Sequence, residues 1–205
     1  MKSVLISIKP KYCELIANGK KTVEVRKTKP KIDVPFKCYI YCTKAKQKDD
    51  FITKSEKFGY LTGHEGSFYN RAKEYDANGK VIGEFVCDKI QEITYTQIYN
   101  FGRYKDVCEA ETRLDFYALD DYLKQKNGYG WHISNLVIYD KPKELGEFKT
   151  ECKELQKEGY PNCEDCKYFI DGRSYEYDES DCACNGLKPV ERPPQSYQFV
   201  CEVTE

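Results

Sequence analysis

Lys2-Ser-Val-Leu-Ile-Ser-Ile-Lys-Pro10 and Gly19-Lys-Lys-Thr-Val-Glu-Val-Arg26 are the two stretches whose reading decides the fold. In the first, Val4, Ile6 and Ile8 alternate with polar or outward positions, which is the period of a half-buried strand. Pro10 then suits the first turn of a helix, with Tyr12, Leu15 and Ile16 on one helical face and Asn18-Gly19 as the stop. In the second stretch Thr22, Glu24 and Arg26 share one strand face while Val23 and Val25 point the other way. The chain therefore opens β-α-β, and its second strand carries charges of both signs that a simple apolar core does not require.

Working outward, Phe36-Lys-Cys-Tyr-Ile-Tyr-Cys42 is a further strand. A charged, poorly patterned stretch from Thr43 to Asn78 reads as a long loop or insertion, and Asn78-Gly79 reads as a turn into the strand Val81-Ile-Gly-Glu-Phe-Val-Cys87. Leu114, Tyr117, Ala118, Tyr122 and Leu123 recur at helical spacing, with Asn127-Gly128 as the stop. Gly130-Trp131-His-Ile-Ser-Asn-Leu-Val-Ile-Tyr139 is a long strand closed by Asp140-Lys-Pro142. Strands outnumber helices, so the pattern predicts an α+β fold, a small mixed β-barrel with a few helices, rather than a doubly wound parallel sheet.

Composition bounds the function classes. No run approaches the roughly 18 to 20 apolar residues of a membrane span, and the opening apolar segment is too short for a secretory signal, so a cytoplasmic protein with no membrane partner is expected. The net charge of −1 conceals an asymmetry: residues 1–57 hold 15 Lys/Arg against 6 Asp/Glu, whereas residues 144–205 hold 7 against 15. The basic end attracts polyanions unless its lysines are merely a solvated face, and the acidic end could serve as a protein-interaction surface.

Eleven cysteines without a secretory signal favour core thiols or metal ligands over a disulfide framework. Cys38, Cys42 and Cys87 lie inside strand patterns and read as small core hydrophobes. Cys163-x-x-Cys166 and Cys182-x-Cys184 supply two pairs of thiols, enough for a tetrahedral structural zinc, with Cys152 or Cys201 able to replace one member. The acidic stretch from 150 to 190 has few apolar residues, so a metal would supply the folding free energy its core cannot.

The chemistry of the second strand follows from residue type. Glu24 and Arg26 are neighbours on one face and can pair, presenting a planar fork. Strand alternation aims Lys21 away from them unless the glycine turn rotates it. With the three convergent, a phosphate could meet Lys21 and Arg26 while Glu24 reads a base edge. Lys9 at the helix start adds charge. Trp131, Tyr129 and Tyr60 are candidates for stacking on a base, and His132 for action near neutral pH, although Trp131 and His132 also fit core and structural roles.

Gly19-Lys-Lys-Thr-Val-Glu-Val-Arg26 resembles the Gly-x-Lys-x-x-Glu-x-Arg signature of the ASCH domain family, whose fold is a PUA-like barrel. Ser7-Ile-Lys-Pro10, Gly130-Trp-His132, Lys141-Pro-Lys-Glu-Leu145 and Arg192-Pro-Pro-Gln-Ser196 resemble a bacterial and phage subgroup of it. The resemblance implies a barrel over 1–148 and a cysteine-rich extension over 149–205 that returns to it through 192–203. It implies RNA or a nucleotide as ligand, with Lys9, Lys21, Thr22, Glu24, Arg26 and Trp131 as the binding residues. Some family members are amidohydrolases acting on acetylated cytidine through a lysine, a threonine and a glutamate. The lysine falls on Lys21, but the threonine falls on Glu24, which cannot replace a hydroxyl nucleophile without a change of mechanism. An amidohydrolase using Lys21 and Glu24 as acid and base is thus the alternative expectation.

Overall fold

The computed structural model describes residues 2–44, 51–56, 59–63, 72–75, 77–98, 101–151 and 187–201. Its first strand, β1 (Lys2–Ile8), leads into helix α1 (Pro10–Ala17), with Pro10 in the first turn, where its missing N–H leaves no intrahelical bond unmade. Gly19 ends the helix at φ +67, and the Gly19 and Lys20 amides fold back onto the Ile16 and Leu15 carbonyls at 2.8 Å. This stop turns the chain by the beginning of β2 (Val23–Arg26). Although β1 and β2 flank one short helix, they belong to different sheets.

β1 lies inside a seven-stranded sheet. It pairs in parallel with β3 (Phe36–Cys42), Val4 opposite Cys38, and antiparallel with β14 (Tyr197–Cys201), Ile6 opposite Tyr197. β3 pairs in turn with β7 (Val81–Cys87), which pairs with β11 (Ser134–Lys143); β12 (Lys149–Glu151) and β13 (Leu187–Pro189) extend the far edge beyond β14. β2 belongs to a four-stranded sheet with β10 (Gly128–His132), β8 (Ile90–Ile98) and β9 (Phe101–Lys105). A mixed, sheet-dominated α+β architecture is therefore observed, its helices completed by α2 (Glu109–Thr112) and α3 (Phe116–Leu123).

Several sequence expectations change at this level. The stretch from Thr43 to Asn78 is no idle loop: it contains β4 (Phe51–Ser55), β5 (Gly59–Gly63) and β6 (Ala72–Glu74), which form a third sheet. Its strands are short and charged, which hid their period, and Asn18 fixes β5 to α1 through both its amide groups, donating to the Tyr60 carbonyl and accepting from the Tyr60 amide. The helix centred on Tyr117 ends at Leu123, with Lys124 in the left-handed region as its cap, so Gly128 begins a strand instead of stopping a helix. Asn78-Gly79 does form the turn into β7: Gly79, at φ +83, donates to the Cys42 carbonyl at 2.8 Å.

The main core lies between β1, β3, β7 and α1, where Val4, Ile6, Ile16, Ile40, Ile82 and Phe85 pack together. Cys38, Cys42 and Cys87 are fully buried there as free thiols, joined by Cys13. A second cluster forms where Val25 packs on Ile93, Leu119 and Leu123. β2 is thus covered on both faces, one by this cluster and the other by the charged residues described next.

Candidate functional site

Glu24 and Arg26 occupy the face of β2 opposite Val25, as strand alternation requires. Across the antiparallel pairing with β10, Glu24 stands opposite Trp131 and Arg26 opposite Tyr129, so these four side chains share one face. Lys21 precedes the strand, and the glycine turn does rotate it: its Nζ lies 3.5 Å from Glu24 Oε2. Arg26 Nη1 lies 3.5 Å from Glu24 Oε1. One carboxylate is held between two cations.

All three side chains are almost withdrawn from solvent, at 1% exposure for Lys21, 5% for Arg26 and 9% for Glu24. Moving each ion out of water costs several kcal/mol, which mutual attraction offsets only with good geometry and further hydrogen bonds. The protein supplies some of these. Lys21 Nζ donates to the Thr112 carbonyl at 2.6 Å, at the end of α2, and faces the Tyr12 ring at 5.5 Å from its centroid. Arg26 Nη1 donates to the Ser7 carbonyl at 3.0 Å, and Nη2 donates to the Ser196 carbonyl. Arg26 Nε, also buried, has no partner among the described residues. Burial pushes the Lys21 ammonium below its ordinary value, and the Glu24 charge pulls it partly back.

The surroundings extend this charge cluster to the surface. Tyr12 and Tyr122 are half-buried beside it, Lys9 is exposed at the start of α1, and Lys27 Nζ stands 5.1 Å from the centre of the Tyr122 ring. Burial raises the Tyr122 phenol, with Arg26 opposing and Glu24 reinforcing the shift. Thr22 is half-buried, and its amide donates to the Glu111 carbonyl at 2.9 Å.

The aromatic candidates separate. Trp131 is fully buried, edge-on to Phe36 with centroids 5.6 Å apart and 6.1 Å from the Tyr197 ring, so it offers no face to a base in this conformation. Its indole Nε1 has no partner among the described residues. Tyr60 is buried against Tyr75. Tyr129 is half-buried on the charged face. His132 stands apart from the triad: its Nδ1 lies 2.6 Å from Asp88 Oδ1, and this hydrogen bond holds the Asp88 carboxyl below its ordinary value.

Tyr12, Thr112, Tyr122 and the Ser7 and Ser196 carbonyls complete the site without having been singled out for it in the sequence. The carbonyl contacts have no signature in side-chain identity, and Tyr12 and Tyr122 read there only as apolar positions of helices. Ser196 falls in the Arg192-Pro-Pro-Gln-Ser196 element, whose prolines mark it as extended. The proposed zinc ligands Cys163, Cys166, Cys182 and Cys184 lie outside the described residues. No group of His, Cys, Asp and Glu among the described residues is arranged to hold a metal, and no helix there is long and apolar enough to cross a membrane.

No curated protein matches the chain. Among solved structures, a serine-to-alanine variant of the ASCH protein from Zymomonas mobilis is 16% identical with a TM-score of 0.49, covering 98% of this chain and 89% of that one. A tyrosine-to-phenylalanine variant of that protein is 18% identical with a TM-score of 0.44, covering 71% and 77%. The sequence model of the ASCH domain matches residues 6–158, taking in β1, α1, β2 and the whole charged face of β10, and the chain belongs to the ASCH domain family.

Proposed function

We propose that this protein binds RNA or a nucleotide at the Lys21–Glu24–Arg26 cluster, with Lys9, Lys27 and the remainder of the basic N-terminal region attracting the phosphate backbone. The observation that carries this reading is the burial of three charges in contacts of 3.5 Å. Close charge-assisted hydrogen bonds run about 2.7–2.9 Å, so the triad does not saturate its own donors and acceptors. As a stabilising device such a cluster is poor, since hydrophobic residues of similar volume hold a core as well or better. As a preorganised recognition site it makes sense: the desolvation cost is met on folding, and the polar groups stand in fixed positions for a ligand.

The test is a Lys21→Met/Glu24→Leu/Arg26→Met variant, which removes the charges together and leaves none unpaired. It is expected to keep its circular dichroism spectrum and to bind single-stranded RNA roughly tenfold or more weakly, since a lost base contact is worth about 1–3 kcal/mol. Unchanged affinity would remove the cluster from consideration.

One observation favours a second reading, a small amidohydrolase on a modified nucleoside. A lysine held below its ordinary pKa beside a carboxylate is a competent proton-transfer pair. Incubation with acetylated cytidine followed by product analysis separates the readings. Deacetylation that disappears in Lys21→Met supports the enzyme; no turnover counts against it for that substrate.

A further inference from the structure

Arg26 is held from two directions. Nη1 donates to the carbonyl of Ser7 on β1, and Nη2 donates to the carbonyl of Ser196, immediately ahead of β14. Ser196 lies beyond the family match at 6–158, on a segment that is itself secured. Ser7 Oγ donates to the Pro194 carbonyl at 2.6 Å, Thr28 Oγ1 lies 3.3 Å from Ser196 Oγ, and the Tyr197 hydroxyl donates to the Lys29 carbonyl at 3.3 Å. A guanidinium with both terminal nitrogens committed to main-chain carbonyls of different strands loses both bonds if it swings toward a phosphate. Glu24 is the most exposed of the three side chains, at 9% against 5% for Arg26 and 1% for Lys21.

We propose that Arg26 is a positioning residue, fixed by the Ser7 and Ser196 carbonyls, and that Glu24 meets the ligand by accepting hydrogen bonds from a guanine Watson–Crick edge. This rests on the RNA- or nucleotide-binding reading above and narrows it to one base. An ionised carboxylate only accepts, and an ammonium only donates. Glu24 beside Lys21 therefore presents acceptor, acceptor and donor in a row. Guanine offers the complement: the N2 amino group and N1–H as adjacent donors, then O6 as an acceptor. Adenine, cytosine and uracil each place a ring nitrogen or carbonyl acceptor where the carboxylate would require a donor. Lys21 keeps N–H capacity for O6, because the Thr112 carbonyl takes only one of its three hydrogens.

The experiment measures binding of the full chain to single-stranded RNA heptamers identical except at the central base (guanine, inosine, adenine, cytosine or uracil), at several salt concentrations. Inosine lacks only the N2 amino group. The unaltered chain is expected to favour guanine over the other four roughly tenfold, the scale of a good bidentate base contact. Arg26→Lys keeps a cation beside Glu24 and so leaves no buried carboxylate unpaired; it is expected to retain the salt slope and lose the guanine preference. Glu24→Gln/Arg26→Met, neutral at both positions, should do the same, with circular dichroism confirming that both variants fold. A salt slope shallower by about one on replacing Arg26 would identify a phosphate contact and overturn the positioning role while leaving RNA binding in place. Equal affinity for all five bases would overturn the base assignment. Failure of the unaltered chain to bind any heptamer would overturn the binding reading together with this one.

Discussion

Lys21 is almost completely buried between the Glu24 carboxylate, the Thr112 carbonyl and the Tyr12 ring, and two measurements test what this placement does. Burial depresses its folded pKa below the ordinary 10.5. Between the folded value and 10.5 the unfolded chain binds more protons than the native one, so Lys21 makes stability rise with pH across that window. Paired urea titrations should show the rise in the unaltered chain relative to Lys21→Met; parallel curves would mean that Lys21 is not desolvated as described. The triad gives a second prediction. Glu24→Gln leaves Lys21 and Arg26 without their shared counter-charge and is expected to cost about 3–5 kcal/mol, whereas Lys21→Met/Glu24→Leu/Arg26→Met should match or exceed the stability of the unaltered chain. A triple variant that unfolds as readily as Glu24→Gln would assign the cluster a structural role. Strand alternation makes Glu24 and Arg26 neighbours from the sequence alone, but the convergence of Lys21 depends on the turn at Gly19, and two residues of free backbone could have aimed it either way.

At the scale of elements, β1, α1 and β2 are readable because an alternating strand, a proline at the helix start and an Asn-Gly stop are local signals that tertiary contacts reinforce. β4, β5 and β6 were not, because short strands with charged faces owe their pairing to each other and to Asn18 on α1. Close approach of strands is likewise invisible in the sequence. Gly83 on β7 faces β11 so closely that an added Cβ would lie 2.2 Å from the Val137 carbonyl oxygen and 3.0 Å from Ile138 Cα. Both are main-chain atoms, so the strand itself would have to move. Gly83→Ala is therefore expected to destabilise the fold by about 1–3 kcal/mol in thermal or urea melts, the scale of overpacking. A neutral effect would show that the β7–β11 edge yields easily.

Across the whole molecule, the acidic C-terminal third offsets the basic N-terminal one in net charge, and its described parts join the fold. β12 and β13 pair antiparallel, Glu151 opposite Leu187, bringing the two ends of the intervening segment side by side, while Phe148 and Val190 are buried below. We propose that Cys163, Cys166, Cys182 and Cys184 hold a structural zinc in that segment; elemental analysis of the purified protein should then find about one equivalent, lost with chelation. No zinc, with all four thiols open to alkylation, would sink the idea. The sequence by itself determined the β-α-β opening, the sheet-rich α+β class, the family and the identity of the charged residues, because these rest on local periodicity and on motif spacing within a few residues. Only the tertiary structure decided that the charges are buried, that Trp131 is enclosed in the core, and that Arg26 is clamped by the Ser196 carbonyl 170 residues away. Burial and main-chain hydrogen bonds between distant strands are set by how the sheets pack, and no side-chain pattern along the chain encodes them directly.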